Sequence, residues 1–437
     1  MIEYSKIIKY KLTSIIKEMR ESPELFVKNP GKDFTRNRKL TFEYVINLLL
    51  SMGGNSIYKE LLEYFKYDVK TATSSAFVQQ RGKILPSALE YLFKAFINSF
   101  DNYKTFNGYR LLAADGSKLN IFHNPEDADT YTKYQDNAKG FNLIHLNVLF
   151  DLCNKVYTDA CIQPIRNANE NSALTDMVDR ATISGNVIVI ADRGYESYNT
   201  FANIQEEGWK YVIRIRDRDS TGMASSFKLP SCEVFDKKID LKLTRRQTNE
   251  IKANPEIYKF MPKRSNFDYL EFKSPNFYPI SFRVVRFKIS DNTYETIITN
   301  LDANEFSIDK IKELYHMRWG IETSFRELKY TIGLINFHSK KVEHIVQEVF
   351  AKLTMYNFCE IITLNVVITY KQRKHEYQVN FTVAIHICRY FFRYLDYANP
   401  PDVEALIQQN ILPIRKGRNN QRKLRTKSSV SFIYRVA

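Results

Sequence analysis

The segment 309–333 reads DKIKELYHMRWGIETSFRELKYTIG and guides the interpretation of the whole chain. It contains no proline, and its apolar residues recur at intervals of three, four and seven. In a helix that turns about 100° per residue, these intervals place apolar side chains along one side. We therefore predict a helix with one buried stripe. The stripe consists of Ile311, Leu314, Ile321, Phe325, Leu328 and Ile332.

The same predicted helix carries a polar set beside the apolar stripe. Tyr315, Arg318, Glu322 and Lys329 fall within an arc of roughly 60°. Glu322 then lies at the edge of the buried face, between a guanidinium and an ammonium. A carboxylate in that position is either part of a buried ion pair or a metal ligand. The alternative is a solvent-exposed helix with ordinary surface ion pairs.

The spacing Y-x2-R-x3-E-x6-K of these four residues resembles the YREK signature of transposases of the insertion-sequence-four family. The resemblance extends over about residues 111–353 and also rests on LLAADGSKL and VIVIADRGY. It implies that Glu322 is the last acidic residue of a DDE catalytic triad. It also implies that Tyr315, Arg318 and Lys329 contact DNA. Such a triad requires two aspartates upstream, each at the end of a buried strand.

Two short apolar runs supply aspartates of this kind. LLAA, residues 111–114, is followed by Asp115, and VIVIA, residues 187–191, is followed by Asp192. Continuous apolar runs are typical of strands that are covered on both faces. With two antiparallel strands and a helix between them, the element order matches a ribonuclease-H-like fold. We expect the two runs to pair in parallel, so that Asp115 and Asp192 meet at one edge of the sheet.

Each aspartate also has a simpler explanation, because Asp often caps a turn or a helix start. Asp217 and Asp219 are rivals for the second position, since they follow the strand YVIRIR. That strand alternates apolar residues with arginines, as an exposed edge strand does. We therefore place its end farther from Asp115 and prefer Asp192.

These patterns predict an α/β protein with a ribonuclease-H-like mixed sheet flanked by helices. A β-rich insertion precedes the helix of Glu322, and a helical domain lies at the N-terminus. The predicted divisions are residues 1–104 for the N-terminal helical DNA-binding domain, 105–216 with 302–370 for the catalytic domain, 217–301 for the insertion, and 371–437 for a C-terminal helical region with a basic tail.

The charge of the chain favours a polyanionic partner. Lys and Arg outnumber Asp and Glu by 64 to 49 among 437 residues, which gives a net charge of +15. The most apolar region, near residues 361–370, is too short to cross a bilayer. We therefore expect DNA rather than a membrane as the partner, and a cytoplasmic, nucleoid-associated protein.

Two further segments are candidates for DNA contact. The segment TSSAFVQQRGKI, residues 73–84, suits the second helix of a helix-turn-helix-like reader, with Gln79, Gln80, Arg81 and Lys83 toward the DNA. The alternative is a plain amphipathic bundle. After Glu404 the chain has no acidic residue, and its end is typical of a basic arm that adds sequence-independent affinity.

Three carboxylates form an oxygen-only site, which suits Mg²⁺ or Mn²⁺. With two ions, Asp115 would bridge both, while Asp192 and Glu322 would each hold one. The resemblance implies a transposase that binds the terminal inverted repeats of an insertion sequence, cuts the DNA, and joins the ends to a target by strand transfer. It also implies a homodimer on DNA. Two alternatives are a catalytically silent DNA-binding repressor and a ribonuclease-H-like nuclease unconnected with transposition.

Overall fold

The N-terminal part of the chain is helical in the computed structural model. Thr41 and Thr73 cap the second and fourth helices, because their side chains accept hydrogen bonds from backbone N–H groups of the first turn. The helices are α1 (Tyr4–Glu21), α2 (Phe42–Ser51), α3 (Ile57–Tyr64), α4 (Ser74–Arg81) and α5 (Pro86–Asn98). The structure describes residues 4–36, 38–133, 135, 137, 139–366, 377–394 and 399–414.

A large mixed sheet with interspersed helices follows. Its strands are β1 (Tyr109–Ile121), β2 (Tyr131–Thr132), β3 (Phe141–Asp151), β4 (Val156–Pro164), β5 (Asn186–Ala191), β6 (Lys210–Ile215), β7 (Phe235–Thr244), β8 (Tyr258–Phe260), β9 (Phe277–Ser290) and β10 (Thr293–Thr299). The helices between these strands are α6 (Glu170–Asp179), α7 (Tyr198–Glu206) and α8 (Asn249–Ala253).

The strand order around β1 is the predicted one. β1 pairs antiparallel with β3, which pairs antiparallel with β4. On its other side β1 pairs in parallel with β5, and β5 pairs in parallel with β6. Parallel neighbours need crossover connections, which α6 and α7 provide. The predicted ribonuclease-H-like α/β fold, a mixed sheet flanked by helices, is confirmed.

The strands within residues 217–301 extend the same sheet. β10 pairs antiparallel with β6, and β9, β7 and β8 follow in that order. The prediction that YVIRIR is an edge strand was therefore wrong, since β6 lies between β5 and β10. Of its two alternating arginines, Arg216 is exposed as expected, but Arg214 has a different environment. Arg214 faces acidic side chains on the neighbouring elements, Asp192 after β5 and Glu295 on β10, rather than open solvent.

The segment that carries Glu322 is helical but not one regular helix. It consists of α9 (Ile308–Met317), α10 (Trp319–Arg326) and a π-helical turn (Glu327–Thr331). At the junction the Arg318 N–H donates to the Tyr315 carbonyl, and the Ile321 N–H donates to the Arg318 carbonyl. These contacts span three residues instead of four, so the helix tightens at Arg318.

Each face of the sheet is covered by helices. The C-terminal helices are α11 (Val342–Thr363), α12 (Phe381–Arg393) and α13 (Val403–Gln409), and the short strands β11 (Tyr377–Val379) and β12 (Ile411–Pro413) pair with each other. Ala113 on β1 packs in the core that α11 shares with the N-terminal helices. Its neighbours Leu112 and Ala114 pack on the opposite side with α6 and α7.

The prediction that α4 presents Gln79, Gln80, Arg81 and Lys83 to DNA is partly wrong. Arg81 is fully buried, and its Nε donates to Gln347 at 2.8 Å while Nη1 donates to Glu348 at 2.9 Å, both on α11. Gln80 is buried as well. The guanidinium therefore neutralises a buried carboxylate and does not face a phosphate.

Some expectations fall on residues that the structure does not describe. They concern helical structure at 367–376 and the basic tail from residue 415 onward. Within the described ranges, the helices are too short or too polar to span a membrane.

The buried pair between Arg81 and Glu348 generates a stability prediction. Glu348 also accepts hydrogen bonds from the His338 N–H and lies 3.7 Å from the Lys352 ammonium. Glu348→Gln removes the buried anion that Arg81 and Lys352 face, and breaking a buried pair in this way costs about 3–5 kcal/mol. Urea unfolding should show a loss on this scale.

The matched control lies on the same helix. Glu343 forms a partly exposed pair with Lys28 at 2.7 Å, and Glu343→Gln should cost less than about 1 kcal/mol. Equal urea midpoints for the two variants would show that the buried pair does not hold the N-terminal helices on α11.

Candidate active site

Asp115 and Asp192 directly follow the last parallel partners of β1 and β5. Those partners are Ala114 and Ala191. β1 itself continues to Ile121 through its pairing with β3. Asp115 therefore lies within a strand, whereas the sequence pattern predicts it at the end of one. The parallel pairing nevertheless ends where predicted, and both aspartates line one open cleft of about 850 Å³.

Backbone N–H groups orient both carboxylates. The Gly116 N–H donates to Asp115 Oδ1 at 2.8 Å, and the Arg193 N–H donates to Asp192 Oδ1 at 2.6 Å. In Asp115 the second oxygen, Oδ2, faces Arg318, whereas in Asp192 the same Oδ1 also faces Arg214. Both side chains are about a third exposed or less, at 27% and 34%.

Arg318 links the helix of Glu322 to β1. Its Nη2 donates to Glu322 Oε1 at 3.0 Å, and its Nη1 lies 4.0 Å from Asp115 Oδ2. The side chain of Arg318 is only 7% exposed. Because a guanidinium has several donors in a rigid plane, it can hold two carboxylates from distant parts of the chain at once. The structure thus brings Asp115, Arg318 and Glu322 together.

Tyr315 and Lys329 lie near the same group. Burial raises the pKa of Tyr315 to about 12, with the charges of Arg318 and Arg214 opposing the rise. Its hydroxyl and the Nε of Arg318 are buried and have no hydrogen-bond partner among the described residues. Burial lowers the pKa of Lys329, and the nearby charge of Asp115 opposes that shift.

Arg214 is a second cation of the site that the sequence interpretation missed. Its Nη2 lies 2.7 Å from Asp192 Oδ1, and its Nη1 donates to Glu295 at 3.2 Å. The signal was present in the alternation of YVIRIR, which we had attributed to solvent exposure. In the structure each of the three expected carboxylates therefore lies beside an arginine.

The rival aspartates have other partners. Asp217 accepts hydrogen bonds from Arg286 Nε at 2.9 Å and from the Thr296 hydroxyl at 2.8 Å. This carboxylate joins β9 and β10 to the end of β6. Asp219 is 78% exposed and lies 3.8 Å from Arg218. Asp217 lines the same cleft as Asp192, but its oxygens are already committed to neighbouring strands.

The environment of Asp115 disfavours its ionised form. Burial raises the pKa of Asp115 to about 6, while the Gly116 N–H and Arg318 act in the opposite direction. The negative charges of Glu170 and Glu322 contribute to the rise. A cation bound beside Asp115 would therefore relieve an unfavourable concentration of negative charge.

Carboxylate oxygens are the type of ligand that a hard divalent cation prefers. Their present arrangement does not form a closed ligand set. Within the described part of the chain, no three His, Cys, Asp or Glu side chains are grouped closely enough to hold one ion. Asp115 and Glu322 instead face Arg318, and Asp192 faces Arg214.

The fold and the site define a ribonuclease-H-like α/β protein with acidic residues at the end of a parallel strand pair. The family described as transposase DDE domain matches residues 106–358, which is more than half of the chain. The protein belongs to this family.

Seven chains of solved structures match this protein. One is the piggyBac transposase synaptic complex with hairpin DNA, with 12% identity and a TM-score of 0.45 over 94% of this chain and 84% of that one. A search of curated proteins finds no match.

The raised pKa of Asp115 predicts a pH-dependent gain in stability for Asp115→Asn. The folded pKa of about 6 exceeds the ordinary value of 3.8, so folding favours the protonated acid. Ionised Asp115 therefore destabilises the fold fully above pH 6, and the penalty disappears as the pH falls toward 4. At about 1.4 kcal/mol per pKa unit, the variant should gain about 1–3 kcal/mol at pH 8.

Urea unfolding at pH 8 and pH 4 measures this difference. Asp291→Asn, in an exposed hairpin turn, is the control and should change the free energy of unfolding at neither pH. If Asp115→Asn were no more stable than the wild type at pH 8, the proposed cost of ionising this group would be absent.

Proposed function

We propose that this protein is a transposase of the insertion-sequence-four type with a YREK motif. It binds the terminal inverted repeats of its element, cuts the DNA and joins the freed ends to a target. The observation that supports this proposal best is the contact of Arg318 with both Asp115 and Glu322, in the neighbourhood of Asp192.

Asp115, Asp192 and Glu322 are the residues that would hold two divalent ions, Mg²⁺ or Mn²⁺. Bound there, such ions supply Lewis acidity for the attack on phosphorus and for the departure of the leaving oxygen. The protein itself contributes the strand ends and the helix that carry the three carboxylates. Arg318 and Arg214 offset part of the charge of these carboxylates in the absence of DNA.

Tyr315, Arg318 and Lys329 are proposed to bind the DNA backbone beside the carboxylates. The Tyr315 hydroxyl and the Arg318 Nε are buried donors without partners in the described structure. A phosphate oxygen can accept from them once DNA binding moves these side chains into the open. Lys329 supplies a positive charge close to Asp115. Binding of a phosphate by Arg318 would also release Glu322 from its present ion pair.

The net charge of +15 supports DNA as the partner over a longer surface. We propose a homodimer on DNA, because two element ends must be paired, and a location in the cytoplasm with the nucleoid. The proposed divisions of labour are 1–104 for DNA binding, 105–216 with 302–370 for catalysis, 217–301 as the insertion and 371–437 as a C-terminal region.

We predict that Asp115→Ala, Asp192→Ala and Glu322→Ala each abolish Mg²⁺-dependent cutting. The substrate is a duplex that carries the inverted repeats bracketing the gene. The rate should fall by at least about 1,000-fold, as when an essential catalytic group is removed. Binding of the same duplex, measured by gel shift in EDTA, should change by less than about threefold.

Asp217→Asn is the control that separates the two candidates for the second aspartate. It loses the charge and one of the two oxygens that accept from Arg286, so the variant should be less stable but should still cut. If Asp192→Ala cut DNA at the wild-type rate and Asp217→Asn did not cut, Asp217 would be the second aspartate of the triad. Wild-type binding without cutting under any divalent ion would favour a silent repressor, and cutting without preference for the repeats would favour a nuclease.

A further inference from the structure

A glycine closely follows each of the two proposed catalytic aspartates. Gly116 comes directly after Asp115, and Gly194 comes two residues after Asp192. A Cβ on Gly116 would lie 2.9 Å from Glu170 Oε1, and a Cβ on Gly194 would lie 2.9 Å from Glu170 Oε2. Near Gly116 the Glu170 carboxylate shares this space with His145 Nε2 and Asn147 Oδ1, at 2.5 and 3.0 Å from the added Cβ, whereas near Gly194 it is the one group within 4 Å in the described structure.

Glu170 is held in this place by the start of α6. The Asn169 N–H donates to Gln163 at 3.0 Å, and the Asn169 side chain caps the helix by accepting from the Ser172 N–H. On the other side, the Asn171 amide donates to the Gly194 carbonyl at 3.0 Å. The residues on either side of Glu170 therefore bind to β4 and to the loop after β5.

The surroundings of Glu170 favour its ionised form. His145 Nε2 lies 3.3 Å from Oε1, and the carboxylate stands in the first turn of a ten-residue helix. The hydrogen bond with His145 lowers the pKa of Glu170. A neutral side chain of the same shape would fill the space between the glycines but would lack this charge.

Glu170 also lines the cleft of Asp115 and Asp192. The Tyr195 hydroxyl is buried among these three acids and has no hydrogen-bond partner in the described residues. A negative charge between the two aspartates adds to the attraction of the site for a cation. The two Glu170 oxygens also lie close to the two glycines, so this carboxylate is placed between the two segments that follow the aspartates.

We propose that Glu170 is a positioning residue of the active site, whose carboxylate holds the Asp115 and Asp192 strand ends in place to take a divalent cation together. This inference rests on the proposed function, because it assigns the cation to the same aspartates. Glu170 acts through the spacing of the two aspartates and through its own negative charge, and it need not touch the reacting phosphate.

Mn²⁺ binding to the full-length protein without DNA tests the proposal directly. Titration calorimetry or the electron paramagnetic resonance of free Mn²⁺ should show binding that is weakened about tenfold or more in Glu170→Gln, as is usual when a group behind metal ligands is changed. Glu250→Gln is the matched control, since Glu250 also lies in a first helical turn but is exposed. The thermal midpoint of both variants should stay near that of the wild type.

Cutting assays separate positioning from a general loss of structure. In Glu170→Gln the Mg²⁺ concentration for half-maximal cutting should rise about tenfold, while the rate at saturating Mg²⁺ should stay within about threefold of the wild type. If Glu170→Gln kept both the Mn²⁺ affinity of the wild type and its Mg²⁺ concentration for half-maximal cutting, the proposal would be overturned.

Gly194→Ala keeps the proposal testable if Glu170→Gln unfolds, because this variant retains Glu170, and a double-mutant cycle extends the test if Glu170 variants fold. Near Gly194, the Glu170 carboxylate is the group that an added Cβ would meet within 4 Å, so Gly194→Ala displaces that carboxylate and should also weaken Mn²⁺ binding. In a Glu170→Ala background the same alanine should have no further effect. Losses that simply add would show that Glu170 does not act at this loop.

The outcomes also distinguish this inference from the proposed function. If the wild type cuts and Glu170→Gln binds Mn²⁺ equally well, only the inference fails. If Mn²⁺ binding is weakened in Glu170→Gln but the wild type does not cut DNA, only the proposed function fails.

Discussion

The parallel pairing of β1 with β5 is the constraint on which the site depends. Its register ends at Ala114 and Ala191, so the next residues of both strands are the two aspartates. Since side chains alternate along a strand, a slip of one residue would turn one aspartate toward the opposite face. Continuous apolar runs on both strands resist such a slip, because both faces of each run are covered. One face packs against α6 and α7. The other face packs against α9 through Leu111, Ile188 and Ile190, and into the core that contains α11 through Ala113.

Gathering carboxylates at this edge creates an electrostatic cost that the fold offsets with arginines. Arg318 and Arg214 come from α9–α10 and from β6, and each one contacts acids from two different elements. The offset is incomplete, since the pKa of Asp115 is still raised to about 6. This residual cost is consistent with the proposed cation site, because full neutralisation by the protein would leave little for a metal ion to gain.

The sequence was sufficient for the parts of the site that depend on local patterns. The runs before Asp115 and Asp192 predict buried strands, and helical spacing places Arg318 next to Glu322. The parts that depend on long-range partners were missed. Arg81 looked like a DNA-reading residue because its partner Glu348 lies 267 residues away, and Glu170 gave only the weak signal of a residue next to a helix cap.

Glu322 belongs to neither strand of the parallel pair, and its position depends on helix α11. Asn357 on α11 exchanges two hydrogen bonds of 2.8 Å with the backbone of Tyr157 on β4. The Tyr157 hydroxyl donates to Ser324 at 2.9 Å, two residues beyond Glu322. Because α11 also binds Arg81 of the N-terminal helices, one buried helix connects them to α10. The position of Glu322 is therefore a property of the packed core as much as of the helix that carries it.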